Sequence, residues 1–164
     1  MASTTNRLLV SEEDFFEYET ISTTSDPSNI MPFIREAQKF DLVSVLPVEL
    51  IEDIQDNMDT TLNSALLPYV RPVLCYYAFA RYISMRSVSD TATGFVQKTN
   101  EYSTPASDKT ITRIATEARN LASAYARELI AYLNDNSVDY PLWKNNCTSE
   151  SVRIGSKISD ISLK

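Results

Sequence analysis

The residues most able to do chemistry are four carboxylates, Glu49, Glu52, Asp53 and Asp56, spaced along one short stretch. On a helix that spacing gathers them on one outward side. Hard divalent cations accept such a pattern, but any solvated acidic face also shows it. A calcium loop would place a glycine turn among its ligands, and none accompanies these residues. Serines and threonines are abundant, yet none has a base beside it in sequence, which leaves only a Ser-Lys pairing open. Cys75 lies in an apolar run and reads as core filler rather than as a nucleophile. Histidine is missing altogether, which removes Ser-His-Asp and Cys-His catalysis and imidazole metal sites. The two glycines, Gly94 and Gly155, cannot build a phosphate-cradling loop or a dinucleotide fingerprint. The two cysteines, Cys75 and Cys147, cannot build a four-thiolate zinc site. Tyr76, Tyr77, Phe79 and Tyr82 could stack on nucleic-acid bases, but only Arg81 and Arg86 lie near, so core packing is their expected role. The expectation is a chain that is not an enzyme and holds no cofactor or metal.

What must position these residues is a set of helices. Residues 1–25 read as an N-terminal arm: Leu8, Leu9 and Val10 suit a short strand, and Glu12-Glu13-Asp14 opens a helical turn carrying Phe15, Phe16 and Tyr18. Asp26-Pro27 is a helix start, and Ile30, Phe33, Ile34, Ala37 and Phe40 recur at helical spacing over 27–41, with Pro32 tolerated near the first turn. Pro47 starts a short helix with Leu50, Ile51 and Ile54 inward and the four carboxylates outward. The third helix is the most apolar; Pro68 and Pro72 are expected to kink or divide it, and the run 73–80 is expected to be central. Residues 87–107 read as a long insertion or β-hairpin. Asp108 is the expected cap of a last long helix, whose seam is Ile111, Ile114, Ala118, Leu121, Tyr125, Leu129 and Tyr132, ending near Asn134. Pro141, Leu142 and Trp143 are expected to fold back and seal the bundle.

The fold class is therefore mainly α: a small bundle of about four helices with a long inter-helix loop or β-hairpin and extended N- and C-terminal arms. Its parts are the arm 1–25, the bundle 26–146 and a C-terminal docking tail 147–164. At 164 residues with 43% hydrophobic and 23% charged, one domain can bury an adequate core without disulfide or metal. A net charge of −7 argues against non-specific grip on DNA. That charge is uneven. Residues 1–59 hold 3 basic and 13 acidic groups, while residues 60–164 hold 12 and 9; by itself this polarity reads first as two solvated faces of unequal sign, and it also suits head-to-tail contact between copies. The start of the chain does not read as a signal peptide, and no stretch is apolar for the length of a bilayer, so a reducing, cytoplasm-like setting without membrane contact is expected. In the tail, Val152 and Ile154 alternate with polar residues, a pattern that suits equally pairing as a strand with a partner and a disordered end.

The order of motifs resembles one family. It runs Ile34-Arg-Glu-Ala-Gln38, a leucine-rich corner, and Leu67-Pro-Tyr-Val-Arg-Pro-Val-Leu-Cys-Tyr-Tyr-Ala-Phe-Ala80. Thr93-Gly-Phe-Val96, the long Ala/Arg helix and Tyr132-Leu133 with Tyr140-Pro141-Leu142-Trp143 follow. Over about residues 8–145 this resembles head–tail connector (neck adaptor, or ring) proteins of tailed double-stranded DNA phages, most of all those of crAss-like and other Bacteroidetes phages. The resemblance implies a structural virion protein, assembled in the host cytoplasm, about twelve copies of which form a ring under the portal. The ring would join the portal to the tail or next neck component and extend the DNA channel, through which DNA passes without specific binding. It implies that Gly94, Phe95, Val96, Lys98 and Tyr102, in the loop 88–107, face the lumen or a neighbour. It implies too that the tail, through Val152, Arg153, Ile154, Ile158, Ile161 and Leu163, engages the portal. The isolated chain would be monomeric or weakly associated. A different function, a cytoplasmic helical adaptor binding one protein partner, would instead need an exposed apolar groove.

Overall fold

The computed structural model describes residues 7–18, 30–86, 88–91, 94–97 and 107–144. They form a helical bundle: α1 (Glu12–Tyr18), α2 (Met31–Glu36), α3 (Val48–Asp56), α4 (Thr61–Arg86), the strands β1 (Val88–Thr91) and β2 (Gly94–Gln97), α5 (Asp108–Asp135) and α6 (Pro141–Lys144). The frame is the pair α4 and α5, each about 40 Å long at the helical rise. Tyr69 stacks on Tyr132 and Tyr76 on Tyr125, so α4 numbers rise as α5 numbers fall and the two helices are antiparallel. The remaining helices pack on this frame around one hydrophobic cluster that runs from Leu9 to Tyr140.

α4 is buried on most sides, with Leu66, Val70, Val73, Leu74, Cys75 and Ala78 at 0% exposure. Its prolines neither end it nor divide it in two: one helix runs through both. Each proline costs a backbone hydrogen bond, and the packing around α4 outweighs that loss.

α5 also departs from the expected seam. Its buried residues are Ala115, Ala118, Ala122, Ala126, Leu129 and Leu133. Leu121 is 45% exposed, and Ile111, Ile114, Tyr125 and Tyr132 are half-buried. By the register of the tyrosine pairs, Ala122 lies level with Ala80, which the helical period puts on the same side of α4 as Tyr69 and Tyr76. Small residues on both sides let the backbones approach closely, so the closest line of contact is alanine and the larger side chains flank it. The cap differs as well. Ser107, not Asp108, takes the N-cap position and accepts a hydrogen bond from Thr110 N at 3.3 Å, while Asp108 sits in the first turn, where a carboxylate suits the helix dipole.

The helix expected over 27–41 changes character half-way. After α2 the chain makes a π turn (Ala37–Asp41) and a 3-10 turn (Leu42–Ser44). Ile30, Ile34 and Ala37 are buried as the spacing requires, but the wider π turn rotates Phe40 out to 56% exposure. Asp26 and Pro27 lie outside the described residues.

Leu8, Leu9 and Val10 do not form the expected strand. Leu9 and Val10 are buried, and the side-chain amide of Gln38 takes the place of a neighbouring strand: its Oε1 accepts from Leu9 N at 2.8 Å and its Nε2 donates to Arg7 O at 2.9 Å. Gln55 Nε2 donates to the same carbonyl. Ser11 and Asp14 then form a reciprocal cap for α1, which drops Phe15 into the core at 0% exposure. Asp14 also pairs with Arg71 of α4 at 2.7 Å.

The insertion is a β-hairpin over its described part. β1 and β2 are antiparallel, with Val88 opposite Gln97, Ser89 opposite Val96, Asp90 opposite Phe95 and Thr91 opposite Gly94.

Candidate interaction surfaces

Three surfaces stand out, each built where the sequence leaves apolar or charged groups incompletely covered. The first is a cleft at the end of the bundle where α4 begins and α5 ends. Leu50 and Asp53 of α3, Asn57 and Thr60 of the following turn, Leu62 and Asn63 of α4, and the stretch 139–142 line it around about 300 Å³. Its framework is fixed by hydrogen bonds, several of them partly buried. Asn63, 3% exposed, donates from Nδ2 to the Asp53 carboxylate at 3.1 Å and to Asn57 O at 3.0 Å, and Asn57 Nδ2 donates to the other Asp53 oxygen at 2.8 Å. On the far wall the Tyr140 hydroxyl donates to Leu62 O at 2.8 Å. Trp143 Nε1 donates to Asn134 Oδ1 at 2.9 Å and holds α6 against α5. The cleft is apolar along Leu50, Leu62, Pro141 and Leu142, with Asp53 and Asp139 on its lining. Leu62, on the lining, is 47% exposed, so the mouth presents an uncovered aliphatic side chain.

Burial raises the pKa of the Tyr140 phenol well above its ordinary 10, with the neighbouring Tyr132 as the next cause. A raised phenol pKa favours the neutral form in the fold, so this stabilisation is complete below pH 10 and is lost as pH climbs above it. Melting temperature measured from pH 8 upward should therefore fall beyond pH 10, and Tyr140→Phe should flatten that fall at a small neutral-pH cost from the lost hydrogen bond. Identical alkaline profiles for the two proteins would disprove the assignment.

The second surface is the π turn. Arg81 of α4 forks onto Asp41, Nε to Oδ2 at 2.7 Å and Nη2 to Oδ1 at 3.0 Å, and reaches Glu36 at 3.3 Å. The hydrogen bond that Arg81 donates to Asp41 holds the guanidinium pKa above its usual value. Lys39 Nζ and the Arg81 guanidinium lie 5.4 Å and 5.9 Å from the centre of the Phe40 ring, which stands out toward solvent. The third surface is the outer face of α5. Lys109, Arg113 and Arg127 are all exposed there; Lys109 and Arg127 are about five turns apart and so share a side. Arg113 pairs with Glu117 at 2.9 Å.

Glu49, Glu52 and Asp56 fall as expected on the outer side of α3, with Leu50, Ile51 and Ile54 inward, whereas Asp53 is half-buried against the cleft, where it accepts hydrogen bonds from Asn57 and Asn63. Among the described residues, no three acidic or cysteine side chains are placed to hold a metal ion, and no helix is long and apolar enough to cross a membrane. Cys75 is buried. Tyr82 is 6% exposed, and Tyr76, Tyr77 and Phe79 are half-buried, with Tyr76 stacked on Tyr125, so this set packs the bundle. Gly94, Phe95 and Val96 lie on β2, whose backbone alone is described. Lys98 and Tyr102, and the tail residues Val152, Arg153, Ile154, Ile158, Ile161 and Leu163, lie outside the described residues.

Sequence reasoning missed the cleft, Phe40 and the two polar anchors Gln38 and Asn63. The cleft joins α3 and the start of α4 to residues 139–142, between 76 and 92 positions further along the chain, and no local pattern signals that. Gln38 had a signal, since it falls next to Ala37 on the buried side of its helical period.

Over residues 42–153 the chain matches a family of unknown function, DUF6712. The chain belongs to that family. The DUF6712 region begins in the 3-10 turn and takes in α3, α4, the hairpin, α5 and α6, and thus the whole cleft, while α1 and α2 precede it. No curated protein and no solved structure matches the chain.

Proposed function

We propose that this DUF6712 protein is a structural component of a phage neck, a ring subunit that joins the portal to the tail or next neck ring and extends the DNA channel. The sequence resemblance over residues 8–145 supports it. The observation that carries it is that two unlike surfaces, one acidic and one of mixed charge with a basic stripe, sit on different elements. From Phe40 to Val70 the chain has six acidic and no basic residues, and the α5 outer face carries Lys109, Arg113 and Arg127. A closed ring of identical subunits needs such heterologous contacts, in which each copy offers two different faces. A net acidic wall would also let DNA slide rather than hold it. In this reading about twelve copies close the ring, weak pairwise contacts being summed on a pre-existing portal ring. The tail residues 152–163 reach the portal, and the loop 88–107 faces the lumen or a neighbour.

A second reading, an adaptor binding one protein partner, has the uncovered aliphatic mouth of the cleft in its favour. One experiment separates the two. Electron microscopy of the chain mixed with a portal ring should show a closed ring of copies on the template, with the free chain monomeric or weakly associated. Absence of any ring density on the portal would reject the neck reading. A 1:1 complex with another single protein would favour the adaptor.

A further inference from the structure

The cleft between α3 and α6 has a floor, a wall and charged groups but nothing within the described residues that covers it. Its apolar line, Leu50, Leu62, Pro141 and Leu142, is uncovered at Leu62, and the carboxylates Asp53 and Asp139 lie along it. An occupant that fits must alternate aliphatic and basic side chains.

One segment of this chain has that pattern and starts from the right place. The described chain ends at Lys144, on the helix that forms the cleft wall, and eight residues later comes Val152-Arg153-Ile154, followed by Lys157-Ile158. In extended chain Val152 and Ile154 share one side and Arg153 the other, so the aliphatics can meet the floor while the long arginine stem folds back over the rim to bring its guanidinium to a carboxylate. Eight extended residues reach about 26 Å, enough to turn back along a cleft that residues 139–142 themselves line. A short linker of this kind raises the local concentration of the segment to the millimolar range, which favours the chain's own tail over a second copy.

We infer that, in the free chain, the cleft between α3 and α6 holds the chain's own C-terminal segment, seated through Val152 and Ile154 with Arg153 toward Asp53 and Asp139. This does not rest on the neck reading. It concerns the free protein, and the portal contact proposed above would draw the same side chains out of the cleft.

The test uses the full chain, with Cys147→Ser and Ser156→Cys to carry a nitroxide spin label. Backbone amide signals of Asn57, Leu62, Asn63 and Leu142 should lose more than half their intensity in the labelled chain. Leu62→Arg, at an exposed position, should restore most of that intensity while leaving the other amide signals in place. In a mixture of isotope-labelled chains without nitroxide and nitroxide-bearing chains without isotope, those signals should stay sharp. Undiminished cleft signals, or losses that Leu62→Arg does not relieve, would overturn the inference. Losses in the mixed sample would overturn it too, because they would put the tail of a second copy in the cleft. None of these outcomes bears on whether a ring forms on a portal.

Discussion

Replacing Phe15 by alanine should lower the melting temperature by roughly 10 °C, an effect far out of proportion to its place in a short helix near the start of the chain. The ring is at 0% exposure within the same hydrophobic cluster as α3, α4 and α5. Removing a buried phenylalanine side chain costs about 3–5 kcal/mol, through lost transfer free energy and the cavity left behind. In a domain of this size each kcal/mol moves the midpoint by about 2–4 °C. The segment has further anchors, the Gln38 amide on Arg7 and Leu9 and the Arg71–Asp14 pair, so it should not simply peel away. Unfolding should therefore stay cooperative. Far-UV circular dichroism and the fluorescence of Trp143, the single tryptophan, should report the same lowered midpoint. A shift below about 3 °C, or helix loss well ahead of the Trp143 signal, would mean that α1 is a detachable arm instead of part of the core.

The second large effect concerns two adjacent residues of α5. Ala122→Leu should cost about 1–3 kcal/mol, because the added methylenes enter the line where α5 lies closest to α4. Leu121→Ala, one residue earlier, should change stability by less than about 0.5 kcal/mol, since Leu121 is already 45% exposed. Hydrophobicity alone predicts the reverse order, as it makes leucine the core residue and alanine the spacer. Chemical denaturation of the two variants decides between these seams, and a costly Leu121→Ala beside a neutral Ala122→Leu would refute the alanine seam. The two substitutions must be measured singly, because neighbours on one helix do not add reliably.

Much of this protein could be read before its structure. The helical period of Leu50, Ile51 and Ile54, the apolar run of α4 and the fold-back at Pro141–Trp143 are local patterns, and each appears where the spacing puts it. The acidic side of α3 follows from the same period. Local pattern and local propensity agree at these places, so no distant contact is needed to choose between alternatives.

Tertiary structure decided the rest. Which side of α5 faces α4 depends on how near two backbones can come, a property of both helices that neither sequence window contains. The continuity of α4 through Pro68 and Pro72 depends on burial outweighing two lost hydrogen bonds. The outward turn of Phe40 comes from one wider helical turn, tied down by an arginine forty residues away. The cleft exists only because Tyr140 reaches Leu62 across 78 positions. Sequence alone settled that this chain folds as helices around an apolar centre, because short-range periodicity is enough for that; which faces remain open to partners was settled by contacts between segments far apart in the chain.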